Sequence, residues 1–224
     1  MSRALVYCGF RHGTHIGLPA VGVKAAQVRV LGQGGLRLLW SDVEWPFDPA
    51  RMQRSAVEFH GVVHHVFGQT AVIPFRLLSV FENEAALTAF AAEHQEHFLE
   101  DLERLKDFVQ MEFVVYPAPG RVQPAIGSGK AYLEQKAAAL RSAEGFAQSM
   151  RDALAHLSRE FRVREAKNGT RIFVLVARGL ENDFRKVVSE VAIPEHLSRR
   201  VSGPWPAAEF LSERVKTPQI AGGK

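Results

Sequence analysis

The chain has 224 residues, enough to bury one sizeable core or two small ones, so hydrophobic patterning rather than length has to fix the domain count. Hydrophobic residues at 46% and charged residues at 23% exclude general disorder. The net charge of +4 comes from 28 basic and 24 acidic residues interspersed along the same segments, which excludes the clustered basic patch that nucleic-acid binding needs.

Residues 4–10 (Ala-Leu-Val-Tyr-Cys-Gly-Phe) form a β-prone run, followed by a Gly/His/Pro-rich loop from Arg11 to Gly22. Two further apolar pieces, Ala26 to Leu31 and Leu36 to Val43, flank Gly32-Gln33-Gly34-Gly35 and predict a hairpin. Asp48-Pro49 supplies a cap and a first-turn proline for a helix carrying Met52, Ala56, Phe59, Val63 and Phe67 at helical spacing. Ala71 to Phe75 predicts a short strand with Pro74 at a sheet edge. From Glu82 to Lys106 a long amphipathic helix is expected, with Leu87, Phe90, Ala91, His94, Phe98, Leu102 and Leu105 at steps of three and four.

The second half begins with a strand from Phe108 to Tyr116 and a Pro/Gly-rich connection from Pro117 to Gly129. A helix from Lys130 to Leu157 follows, with Leu133, Ala137, Leu140, Ala147, Met150, Leu154 and Leu157 on one stripe. Phe161 to Ala166 and Arg171 to Ala177 flank an Asn168-Gly169 turn, Glu181 to Val191 is a short helix, and His196 to Val201 a final strand. The fold class expected is therefore α+β. A mixed N-terminal α+β domain, residues 1–107, precedes a ferredoxin-like βαββαβ domain with a C-terminal extension, residues 108–224.

Chemistry-bearing patterns are incomplete. Gly127-Ser128-Gly129-Lys130 imitates a phosphate loop, yet Pro124 stands where that loop needs a glycine and Ala131 where it needs a serine or threonine. His60 with His64, and His94 with His97, are spaced to share a helix face, but neither pair has a cysteine or a zincin pattern beside it. Cys8 is the only cysteine, placed in a strand rather than at an activating helix start, and fits a reducing compartment. No nucleophile elbow surrounds a serine, and Glu100-Asp101 belongs to a charged helix face. The reading is of no enzyme: no catalytic residues, no cofactor-binding residues and no metal ligands are expected. With no signal peptide and no apolar run of membrane-span length, a cytoplasmic protein is expected.

The strongest local signal is Val201-Ser202-Gly203-Pro204-Trp205-Pro206, where two prolines fix the backbone around a large aromatic after a strand. Trp205 is expected to pack as a structural anchor, with Phe210 and Leu211 beyond it as exposed apolar contact points. Together with Val6-Tyr7-Cys8-Gly9, with Ala71-Val72-Ile73-Pro74-Phe75-Arg76-Leu77-Leu78-Ser79-Val80-Phe81 and with Gly129-Lys130-Ala131-Tyr132-Leu133-Glu134-Gln135-Lys136, this element resembles the GvpL/GvpF gas vesicle protein family. The departures are Leu78-Ser79 where the family has a Phe-Gly pair, and Ala207-Ala208-Glu209 where an aromatic is usual before Phe210. The resemblance implies an accessory or minor structural protein of gas vesicles that meets the hydrophobic shell protein and other accessory proteins, without an enzymatic activity. The competing class is a small-molecule-binding regulatory protein built on a ferredoxin-like domain.

Overall fold

The structure is a computed structural model that describes residues 1–118, 145–166 and 169–212. It is a mixed α+β protein with two antiparallel sheets. The described residues divide into two compact units, Met1–Asp107 together with residues 206–212, and Phe108–Trp205. The segment after Trp205 thus belongs with the first unit, whereas the sequence reading grouped it with the second.

In the first unit, β1 (Ser2–Arg11) is central, because its run from Ala4 to Phe10 is apolar on both faces and buried throughout. β3 (Leu36–Glu44) pairs with it on one side and carries the edge strand β2 (Arg29–Gln33). The Gln33↔Leu36 register leaves Gly34-Gly35 as the hairpin turn, with Gly34 at φ 53°. On the other side of β1 lie β4 (Ile73–Pro74) and β5 (Val80–Phe81), two residues each. β4 is the proline-bearing edge strand the sequence predicts. β5 was not legible, since two residues have no period; it exists through its pairing with Ala4 and Leu5.

Helix α1 (Met52–Phe67) is entered through a short 3-10 turn, Pro49–Arg51, whose Asp48 carboxylate accepts from Ala50 N at 2.9 Å. It buries Ser55, Phe59, Val62, Val63, Val66 and Phe67. The expected stripe is rotated at its start: Ala56 is exposed, and Ser55 points inward in its place. Helix α2 (Glu84–Leu105) starts at Asn83, whose side chain accepts from Ala86 N, and buries Leu87, Ala91, Phe98, Leu102 and Leu105 as the spacing predicts.

The second unit is a four-stranded sheet in the order β7-β8-β6-β9, from β6 (Phe108–Pro117), β7 (Ser158–Ala166), β8 (Gly169–Ala177) and β9 (Leu197–Trp205). Residues 145–154 form the helix α3, which buries Phe146, Ala147, Met150 and Leu154. The earlier part of the helix expected from Lys130 lies outside the described residues. α4 (Glu181–Glu190) buries Phe184 and Val188, and the Phe184 ring lies 6.5 Å from that of Phe113 on β6. β7 and β8 meet at Ala166↔Gly169; Asn168 of the expected turn lies outside the described residues.

β9 runs longer than the Val201 end read from the sequence. The Gly203-Pro204-Trp205 element belongs to the strand, reached through a register shift opposite Gln110/Glu112. A bulge is where a sheet tolerates proline, because the ladder is already interrupted there. Gly203, at φ 113°, has no room for a side chain: a Cβ would stand 2.9 Å from Gln110 O.

Candidate interaction surface

The tail after Trp205 is fixed by a buried carboxylate. Asp101, on the inward face of α2, is 2% exposed; its Oδ1 accepts from Arg104 Nη2 at 2.6 Å and its Oδ2 from Ser212 N at 2.8 Å. Arg104 Nη2 also donates to Phe210 O. One acid and one guanidinium thus satisfy the main chain on both sides of Leu211.

This arrangement corrects one reading. Phe210 is 0% exposed, in the turn Ala208–Phe210, and is a core residue of the first unit rather than an exposed contact point. Sequence gave no sign of it, because the charge that pulls the tail down is Asp101, more than a hundred positions earlier in a helix that reads as solvated. Leu211 is half-buried. Trp205 is half-buried at the end of β9, and its indole Nε1 donates to Ser202 Oγ at 3.3 Å.

A second polar anchor holds the loop between β1 and β2. Tyr7 is the extra residue of a bulge in β1, between the pairs Val6↔Trp40 and Cys8↔Leu39. Its hydroxyl accepts from Val23 N at 3.0 Å and touches Ser41, while Ser41 Oγ donates to Gln27 O at 2.8 Å. Burial raises the Tyr7 phenol above its ordinary value, and the contacts from Ser41 and Val23 oppose that shift. Gly22 is required beside it, since a Cβ there would stand 2.2 Å from the hydroxyl.

The anchored loop presents apolar surface. Val21 is 59% exposed on it, and Val57 is 69% exposed on α1. The two segments are tied together: Lys24 N donates to Glu58 Oε2 at 2.9 Å, and Glu58 also accepts from Arg54 Nε. Gln69 adds a further clasp, accepting from Gly17 N and donating to Gly17 O. Lys24 at φ 55° and Ala25 at φ 56° sit in the left-handed region, so this clasp holds backbone that is unfavourable for both residues. Sequence reading passed over Val21 and Val57, since single exposed valines carry no periodic signal.

The histidines have structural settings. The His60 and His64 rings are 4.9 Å apart, and burial, then the charge of His64, lowers the His60 pKa. His94 stacks on Phe90 at 4.3 Å with Nδ1 3.0 Å from Phe90 O, and His97 lies 3.6 Å from Glu100. Among the described residues no group of three or more His, Cys, Asp or Glu could hold a metal ion. Cys8 is buried, and burial pushes its thiol well above the usual range. The Gly127 to Lys130 loop lies outside the described residues. Among those described, no helix is long and apolar enough to cross a membrane.

The fold and the family point the same way. The fold is similar to a crystal structure of the gas vesicle protein GvpF from Anabaena sp. PCC7120, with a TM-score of 0.76 at 15% identity, covering 95% of this chain and 97% of that one. It is also similar to GvpF from Microcystis aeruginosa, with a TM-score of 0.73 at 15% identity, covering 94% and 99%. No curated protein sequence matches the chain. The model of the gas vesicle synthesis protein GvpL/GvpF family matches residues 4–212, and the chain belongs to that family.

Proposed function

We propose that this protein takes part in gas vesicle assembly by binding the hydrophobic shell protein and other accessory proteins, as a scaffold or chaperone-like partner and not as an enzyme. The observation that carries this reading is the family match over residues 4–212. The physical case is that a shell apolar enough to exclude water from a gas space aggregates unless its subunits are covered until they assemble. A carrier needs apolar contact points held on a rigid frame.

The loop bearing Val21 and the α1 turn bearing Val57 supply such points, joined by the Lys24 to Glu58 bond. Leu211 and Trp205 remain candidate contacts as half-buried residues, while Phe210 does not. We read the second unit as a ferredoxin-like domain from its strand order and its two intervening helices. Its role here is recognition, with the protein located at the gas vesicle.

The test has two arms. Deleting the gene is expected to reduce vesicle number or alter vesicle shape, and the purified protein is expected to capture the shell protein. The double variant Val21→Asp/Val57→Asp should lose most of that capture while keeping its circular dichroism spectrum. Normal vesicles after deletion, with no capture by the wild type, would overturn the reading.

A further inference from the structure

The outer edge of the second sheet carries a charge order that complements itself. β7 ends the sheet, and among the described residues it pairs only with β8. Among the described residues its outer row of main-chain donors and acceptors has no strand beside it, and such a row is the template for adding another strand. Charges usually blunt such an edge. Here their order is specific.

Opposed antiparallel to itself about Arg162, the run Arg159-Glu160-Phe161-Arg162-Val163-Arg164-Glu165 sets Glu160 against Arg164 twice and Arg159 against Glu165 twice. Phe161 meets Val163, and only Arg162 faces its own copy. A slip of one residue in either direction instead brings Glu160 against Glu165 or Arg159 against Arg164, so the charges oppose both of those registers. Arg159 already lies over the Phe108 ring at 4.7 Å, and Glu160 is bridged within its own strand to Arg162 at 3.6 Å, so the second copy's Arg164 would meet Glu160 from the other side.

One feature of the sheet agrees with a partner at this edge. On the face opposite Glu160 and Arg164, Val163 is exposed beside the buried Ile172 it pairs with. Phe161 of a second copy would cover it.

We propose that β7 pairs antiparallel with β7 of a second copy of this chain, joining the two four-stranded sheets about a two-fold axis at Arg162. The experiment uses the full chain in sedimentation equilibrium across the micromolar range. Wild type is expected to dimerise with a measurable Kd. Arg164→Glu and Glu160→Arg each turn both central pairs into like-charge pairs, and each is expected to weaken the dimer by about tenfold or more. The double variant Glu160→Arg/Arg164→Glu restores opposite charges and is expected to recover the dimer, which separates a charge effect from misfolding. A monomer at every concentration would overturn the proposal, as would a dimer indifferent to the single changes or a double variant as weak as the singles.

Discussion

The two sheets differ in where their backbone groups find partners. In the second, strands of nine or ten residues pair along nearly their whole length, interrupted only at the bulges near Ser158/Glu160 and Gln110/Glu112. In the first, β4 and β5 contribute two residues each, and the chain around them is held one bond at a time. Val6 N donates to Ser79 O, Phe75 N to Tyr7 O, and Arg76 N to the hydroxyl of the buried Ser79. The second sheet therefore rests on main-chain regularity along all its strands, whereas the first unit keeps that regularity along β1, β2 and β3 and leaves the β4–β5 side, the β1–β2 loop and the tail to a few buried polar side chains, Tyr7, Ser41, Ser79 and Asp101. Backbone changes should damage the one, and loss of a hydroxyl or carboxylate the other.

The sharpest way to break the second sheet is Gly169→Ala. Gly169 has φ 153°, and a Cβ there would stand 2.1 Å from Val115 O, which is main chain and has no rotamer to yield. We expect a loss of about 3 kcal/mol or more, read as a lowered denaturant midpoint. A loss below about 1 kcal/mol would mean that the start of β8 has slack and that regularity is not what holds this sheet.

For the first unit the matching change is Asp101→Ala, which leaves the amide of Ser212 without its acceptor and takes the carboxylate from Arg104. The expected loss is about 2 kcal/mol, because the Ser212 amide is left unsatisfied while Arg104 keeps its bond to Phe210 O. Buried Cys8 reports the contrast: its reaction with a thiol reagent should accelerate more in Asp101→Ala than in Gly169→Ala. The reverse ranking would undo the comparison.

The same contrast governs what could be read from sequence. α2 was legible because its apolar residues recur at helical steps over six turns, and the β7–β8 hairpin because two β-prone runs flank a turn dipeptide. β5 and the buried Phe210 were not, since each depends on a partner distant in the chain, Ala4 and Leu5 for one and the Asp101–Arg104 pair for the other. The two exposed points, Val21 and Val57, were hidden for a related reason. Their geometry comes from the Tyr7 bulge and the Lys24 to Glu58 bond, neither of which leaves a periodic trace.

A smaller effect is expected from Tyr7→Phe, which removes the acceptor for Val23 N and the contact with Ser41. The loss should be about 1 to 2 kcal/mol at neutral pH. Because burial raises the folded phenol above its ordinary value of 10.0, the wild type keeps this group's contribution below pH 10 and loses it as pH rises through the folded value. The phenylalanine variant lacks that alkaline decline at this position. Equal slopes above pH 10 for the two proteins would show that Tyr7 is not the group buried on folding.

Glu58→Gln should produce the smallest change and the most selective one. The Glu58 carboxylate is held below its ordinary value of 4.5, first by the bond from Lys24 N and then by Arg54. A lowered folded value means that its contribution to stability is present above pH 4.5 and is lost as pH falls through the folded value. Glutamine keeps an acceptor for Lys24 N and gives up only the charge. The gap between wild type and variant should therefore be under about 1 kcal/mol at pH 7, as for other solvent-screened pairs, and should close on acidification. No gap at any pH would mean that the shape of the side chain, not its charge, ties the loop to α1. In that case Val21 and Val57 would be held together by packing, and salt should leave capture of the shell protein unchanged. With the charge in control, raising the salt concentration should loosen the clasp and weaken capture, though only slightly, because the bond to Lys24 N survives screening.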